Sequence, residues 1–169
     1  IPLVYCMDRA GVVGPDGPTH HGVFDIAFMR SLPGMVVTAP KDGNELKNLL
    51  ATGIQSNKNF SIRYPKASSI SYDKNAKAKI LEIGKWESLV SGENTVILAV
   101  GSMVHMVMES IGGITDEVGY TPSVVNARFI KPIDDKMLFD LCKEHETIIT
   151  IEEGTLNGGF GSAISDFLH

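Results

Sequence analysis

The groups able to do chemistry are concentrated between Asp8 and Asp25, in the stretch D-R-A-G-V-V-G-P-D-G-P-T-H-H-G-V-F-D. Asp8, Asp16 and Asp25 supply carboxylates, Arg9 a guanidinium, Thr19 a hydroxyl, and His20 and His21 two imidazoles. Gly11, Gly14, Gly17 and Gly22 alternate with Pro15 and Pro18 among them. So many glycines are costly in backbone entropy unless main chain must come close to something, which marks an active-site loop. An imidazole titrating near neutrality can move a proton or hold a substrate hydroxyl. Asp16, four residues before His20, is spaced to fix the tautomer of that ring. A second guanidinium, Arg63, lies near the end of the run Phe60-Ser61-Ile62-Arg63-Tyr64, as Arg9 follows the run Leu3 to Met7. If those runs are neighbouring parallel strands, both guanidiniums reach the sheet rim where ligands of open α/β sheets bind. Two forks there suit a phosphate or carboxylate. The plainer alternative pairs Arg9 with Asp8 or Asp16, and Arg63 with an acid of its own surroundings. A metal set of Asp16, His20, His21 and Asp25 competes, but it lacks the helical spacing and closed ligand set of a zinc motif.

The elements that must position these residues alternate between strand-length apolar runs and helical stripes. Leu3 to Met7 has the character of a strand buried on both faces. Phe24 to Leu32 forms a short helix ended by Pro33-Gly34, and Met35 to Ala39 a strand closed by Pro40. Asp42 caps the next helix, with Glu45 at capping-box spacing and Leu46, Leu49, Leu50 and Ile54 as its apolar stripe. Phe60 to Tyr64 completes half of a doubly wound sheet. Lys66 to Lys79 reads as a linker, and Ile80 to Val90 alternates enough to pair as short edge strands. A second unit begins at Thr95, with strands over Val96–Val100, Ser123–Ala127 and Thr147–Ile151. Helices follow Ser102 and the cap Asp134 or Asp135, and Arg128 to Pro132 is read as a loop. The fold class is therefore α/β, with two doubly wound units: residues 1–66, a linker over 67–94, and residues 95–169. Right-handed crossovers between parallel strands are the natural topology. Glycines 154 to 161 fit a tight strand-to-helix turn better than a phosphate loop, since no Lys-Ser/Thr ending follows. His105 and His145 are read as surface residues.

The 169 residues carry a net charge of −5 with no basic run, which argues against nucleic acid as a partner. An apolar content of 43% is enough for a packed core, and no apolar stretch is long enough to span a membrane. Cys6 and Cys142 both lie in apolar patterns and read as reduced core thiols of a cytoplasmic chain. Ile1 opens directly on a strand and the last helix has no C-cap glycine, as expected of part of a longer enzyme.

The loop, together with Leu32-Pro33-Gly34-Met35, Ala39-Pro40 and Ile62-Arg63-Tyr64-Pro65, closely resembles the 1-deoxy-D-xylulose-5-phosphate synthases, thiamine-diphosphate enzymes of the transketolase superfamily. Ala127-Arg128-Phe129-Ile130-Lys131-Pro132 and Glu152-Glu153-Gly154 through Ser162 extend the resemblance over the second unit. It implies condensation of pyruvate with glyceraldehyde 3-phosphate, carbon dioxide being lost, to 1-deoxy-D-xylulose 5-phosphate. It also implies that Arg9 and Arg63 hold the aldehyde's phosphate, and that Asp16 and His20 contact the reacting atoms as catalytic groups. His21 is given no role. The family's catalytic glutamate, its pyrimidine-stacking aromatics and its magnesium and diphosphate motif are expected outside this stretch, so thiamine diphosphate and Mg²⁺ find no main ligand here. The resemblance implies a cytoplasmic homodimer, and this stretch alone is expected to be inactive. A transketolase, a 2-oxoacid dehydrogenase β-type subunit, or a non-catalytic module binding phosphorylated sugars are the rival readings.

Overall fold

Strands β1 (Val4–Met7), β2 (Met35–Thr38) and β3 (Asn59–Arg63) lie parallel in the order β1-β3-β2 in a computed structural model describing residues 1–169. Helix α1 (Asp25–Ser31) precedes β2, and α2 (Gly43–Gln55) crosses from β2 to β3. The second sheet contains β4 (Glu87–Val90), β5 (Thr95–Ala99), β6 (Ser123–Asn126) and, after a strand described next, β8 (Thr147–Ile151). Its order is β4-β6-β5-β8, with β5, β6 and β8 parallel and β4 antiparallel at the edge. Helices α3 (Met103–Val118), α4 (Asp135–Glu144) and α5 (Phe160–Leu168) complete the chain.

The remaining strand, β7 (Phe129–Lys131), corrects the reading of residues 128–132 as a loop. It pairs antiparallel with β2 and so completes the first sheet from the second half of the chain. Each of the two α/β units expected from sequence is thus present, its parallel strands joined by one antiparallel edge strand. Three residues are too few to show a period, yet Phe129 and Ile130 are fully buried. Phe129 meets Phe60 edge-on at 6.5 Å, and its carbonyl accepts from Trp86 Nε1 at 2.8 Å. Trp86 in turn stands edge-on to Phe160 at 5.9 Å, so one apolar core runs through both sheets.

Local rules explain most other elements. Asp42 Oδ1 accepts from Glu45 N at 2.8 Å, and Asp134 Oδ1 accepts from Met137 N at 3.2 Å, capping α2 and α4. The Glu45 carboxylate returns to Lys41 N at 2.7 Å instead of to the cap residue. It also accepts from Asn126 Nδ2 at 2.9 Å, a buried polar tie between α2 and the second sheet. The stripe expected on α2 is rotated: Leu49 is buried with Glu45, Thr52 and Gly53, whereas Leu50 and Ile54 are exposed. Polar residues could take the inner face because each found a partner, Thr52 Oγ1 donating to Asn48 O at 2.7 Å.

Residues 69–79, expected as linker, are lashed along α2. Ser69 Oγ accepts from Gly43 N, Lys47 Nζ donates to Asp73 O and Ala76 O, and Asn48 Oδ1 accepts from Lys79 N. Strand β1 is a sheet edge and not a doubly buried strand, so Tyr5 and Cys6 are exposed; Cys142 is half-buried. His145 is half-buried too, its Nδ1 donating to Leu141 O at 3.0 Å and its Nε2 meeting Ser123 Oγ at 2.8 Å. No helix is long and apolar enough to cross a membrane.

Candidate substrate-binding site

The loop leaves β1 and is pinched shut at its base. Ala10 N donates to Tyr64 O at 3.0 Å, extending the β1–β3 ladder, and Gly11 and Gly22 exchange hydrogen bonds of 3.0 and 2.9 Å. Gly22 is obligatory at this closure, because a Cβ there would lie 2.4 Å from Arg9 O. Two single 3₁₀ turns, Gly14–Asp16 and Pro18–His20, shape the span between, each with a proline at its start. His21, given no role from sequence, braces that span: its Nδ1 accepts from Val13 N at 2.9 Å.

Arg9 sits in the left-handed region, at φ 59°, where a side-chain-bearing residue needs outside support. Its Nε donates to Asp16 Oδ2 at 2.8 Å and its Nη1 to Asp8 Oδ2 at 2.5 Å. Lys66 Nζ binds the same Asp16 carboxylate at 2.6 and 2.8 Å. Asp16 is thus clasped between two cations, with Arg9 36% and Lys66 50% exposed in their side chains. Hydrogen bonds from Lys66, then from Arg9, pull the Asp16 carboxyl down to about 2. Arg9 is held above its ordinary value by its hydrogen bond to Asp16 and by the charge of Asp8. A depressed folded-state pKa contributes stability above the ordinary carboxylate range and loses it as pH falls toward about 2. The carboxyl carbon of Asp16, followed by NMR, is therefore expected to titrate near pH 2. Lys66→Met is expected to move that midpoint upward; an unmoved midpoint would show that the lysine is not its main partner.

His20 does not meet the Asp16 carboxylate. Its Nδ1 lies 3.1 Å from the main-chain oxygen of Asp16 and 3.1 Å from Thr19 Oγ1. A carbonyl oxygen only accepts, so a hydrogen bond to it requires a proton on Nδ1, whereas Thr19 Oγ1 can donate to or accept from the same nitrogen. The Asp16 carboxylate does not orient this ring, because Arg9 and Lys66 already occupy it.

Arg63 is the residue whose environment differs most from its sequence reading. Met7 and Arg63 are register partners on adjacent parallel strands, so the shared rim is real. The side chain, however, points inward and is only 4% exposed. Its Nε donates to Asp25 Oδ2 at 2.8 Å, and its Nη2 to Glu153 O at 2.8 Å and Gly22 O at 3.4 Å. Asp25 Oδ1 is satisfied by Ile26 N at 2.8 Å. The exposed cation beside Arg9 is instead Lys66, which sequence reasoning passed over. A lone lysine one residue after a strand-ending proline carries no pattern.

Asp16, His20, His21 and Asp25 each turn to a different partner and do not converge, and no three His, Cys, Asp or Glu side chains assemble into a metal site. The N-terminal amides of α5 are taken by Glu152, whose carboxylate accepts from Phe160 N and Gly161 N at 2.8 Å each. These residues therefore do not fit a magnesium diphosphate. A cleft of about 440 Å³ opens beyond the ends of β1, β2 and β3, walled by Asp8, Lys41, Tyr64, Lys66, Ser69 and Ser102. Its place is that of a ligand site in an open α/β sheet.

Two family models match the chain: the transketolase pyrimidine binding domain over residues 1–69 and the transketolase C-terminal domain over residues 84–169. The chain belongs to the transketolase family. The C-terminal transketolase domain so matched takes in β4 along with the rest of the second sheet. Among relatives, the 1-deoxy-D-xylulose-5-phosphate synthase of Aquifex aeolicus is 50% identical over 167 residues, 99% of this chain and 26% of that protein. The protein of the same name from Syntrophus aciditrophicus is 46% identical over 168 residues, again 99% of this chain and 26% of its own length. The chain thus spans about a quarter of the curated relatives it matches. Among solved structures, a split gene transketolase described as an inactive beta4 tetramer superposes with a TM-score of 0.84 at 27% identity, covering 98% of this chain and 52% of that one. The transketolase of Campylobacter jejuni, at TM-score 0.60 and 17% identity over 97% of this chain and 29% of its own, shares the fold.

Proposed function

We propose that this chain supplies the aldehyde-binding part of a thiamine-diphosphate enzyme that condenses pyruvate with glyceraldehyde 3-phosphate. Carbon dioxide is lost and 1-deoxy-D-xylulose 5-phosphate forms. The observation that carries the reading is the Arg9–Asp16–Lys66 cluster at the strand ends, in a chain half identical to a protein of that name. Arg9 and Lys66 take the phosphate, to which both can direct charge-assisted hydrogen bonds. Asp16 is the counter-ion that keeps the two cations side by side. His20 holds or moves a proton at a substrate oxygen. Arg63, with Asp25, supports the loop from beneath instead of touching the phosphate. Mg²⁺, the cofactor, a homodimer and a cytoplasmic setting belong to the same proposal.

A second reading, a transketolase proper, draws support from the 0.84 superposition on the split gene protein. The test supplies the complete polypeptide with thiamine diphosphate, Mg²⁺ and glyceraldehyde 3-phosphate, and compares pyruvate with a ketose phosphate as donor. Carbon dioxide and deoxy-xylulose phosphate from pyruvate are expected. Turnover with the ketose alone would favour transketolase, and binding without turnover a non-catalytic module. The 169-residue chain by itself is expected to give no product.

A further inference from the structure

Glu153 follows β8 of the second sheet, yet two of its three hydrogen bonds reach the first unit, one to the loop and one to β3. Its main-chain oxygen accepts from Arg63 Nη2 at 2.8 Å, and its Oε1 accepts from Val12 N at 3.4 Å. Its Oε2 accepts from Ser102 Oγ at 2.9 Å, which anchors the carboxylate at the start of α3. Gly11, at φ 75°, lies so close that a Cβ there would stand 2.8 Å from both Cβ and Cδ of Glu153.

We infer that Glu153 is a positioning residue by which the C-terminal domain fixes the loop carrying Arg9, Asp16 and His20. The pinch at Gly11 and Gly22 closes the base of the loop, but Val12 is the first residue beyond it, and its amide is tied by this carboxylate. One side chain thus sets the direction in which the loop leaves its base, while its own backbone oxygen holds Arg63 beneath. Arg9 needs such outside support, because its left-handed backbone is disfavoured without it. Phosphate recognition by the pyrimidine-binding domain accordingly depends on a residue of the other domain. This deepens the functional reading above and rests on it for its kinetic test.

Glu153→Ala and Glu153→Gln in the complete polypeptide test the inference. In Glu153→Ala, the preference for glyceraldehyde 3-phosphate over unphosphorylated glyceraldehyde, as a ratio of kcat/KM values, is expected to fall about tenfold. Glu153→Gln keeps an acceptor oxygen at the same reach and is expected to restore most of that ratio. A merely structural role would lower the active fraction for both aldehydes alike; an unchanged ratio in Glu153→Ala would overturn the inference. Hydrogen exchange supplies a readout independent of the reaction. Amides of residues 12–22 are expected to exchange about tenfold faster in Glu153→Ala, with β1 to β3 unchanged. If Glu153→Ala does not fold, Glu153→Gln is read by the same two measurements and is expected to show smaller shifts in the same directions. Unchanged loop exchange in the folded variants would overturn the inference even if the parent shows no preference for the phosphorylated aldehyde, an outcome that would refute the functional reading separately.

Discussion

Asp25→Ala is expected to lower the unfolding free energy by about 3–5 kcal/mol, the usual cost of leaving one member of a buried ion pair uncompensated. Arg63 has almost no access to water, so loss of Asp25 strands a guanidinium whose other partners are the carbonyls of Gly22 and Glu153. A domain stabilised by about 5–15 kcal/mol would lose a large part of its margin. Urea denaturation of parent and variant measures it. The double variant Asp25→Leu with Arg63→Met should recover much of the loss, since an apolar pair of similar volume removes both desolvation penalties. A loss below about 1 kcal/mol in Asp25→Ala would mean the pair behaves as a surface contact, contrary to its burial.

Arg9→Met and Lys66→Met are the second pair, and here the effect falls on binding. Each removes one charge-assisted partner of the phosphate, so each is expected to weaken binding of glyceraldehyde 3-phosphate by about 10- to 100-fold, with little change for the unphosphorylated aldehyde. Both cations are substantially exposed, so the parent's advantage should also shrink as ionic strength rises. Isothermal titration at two salt concentrations separates these effects. Arg63→Met should act mainly on stability. Equal affinity for the phosphorylated aldehyde in Lys66→Met and in the parent would remove the lysine from the site.

Much of this was legible in the sequence, and the parts that were not share a physical cause. The runs at β2, β3, β5 and β6 were visible because buried parallel strands are continuous apolar segments, and β1 and β8 because these edge strands keep the same apolar character. Asp42, and one of the two acids before α4, were visible because capping is local. Strand β7 was hidden because its three residues acquire meaning only beside β2, far away in the chain. The direction of Arg63 was hidden for a related reason: β3 is buried on both faces from Phe60 onward, so no alternation marks which side chains turn to the rim. The contacts of Lys66 with Asp16 and of Glu153 with Val12 were not legible, because these partners are joined only by the fold.

A crystal structure of the complete polypeptide with glyceraldehyde 3-phosphate bound would decide where the phosphate sits. Phosphate oxygens are expected within about 3.2 Å of both the Arg9 guanidinium and the Lys66 ammonium, with Arg63 still paired to Asp25. A phosphate seated on Arg63, or away from the loop altogether, would contradict that placement.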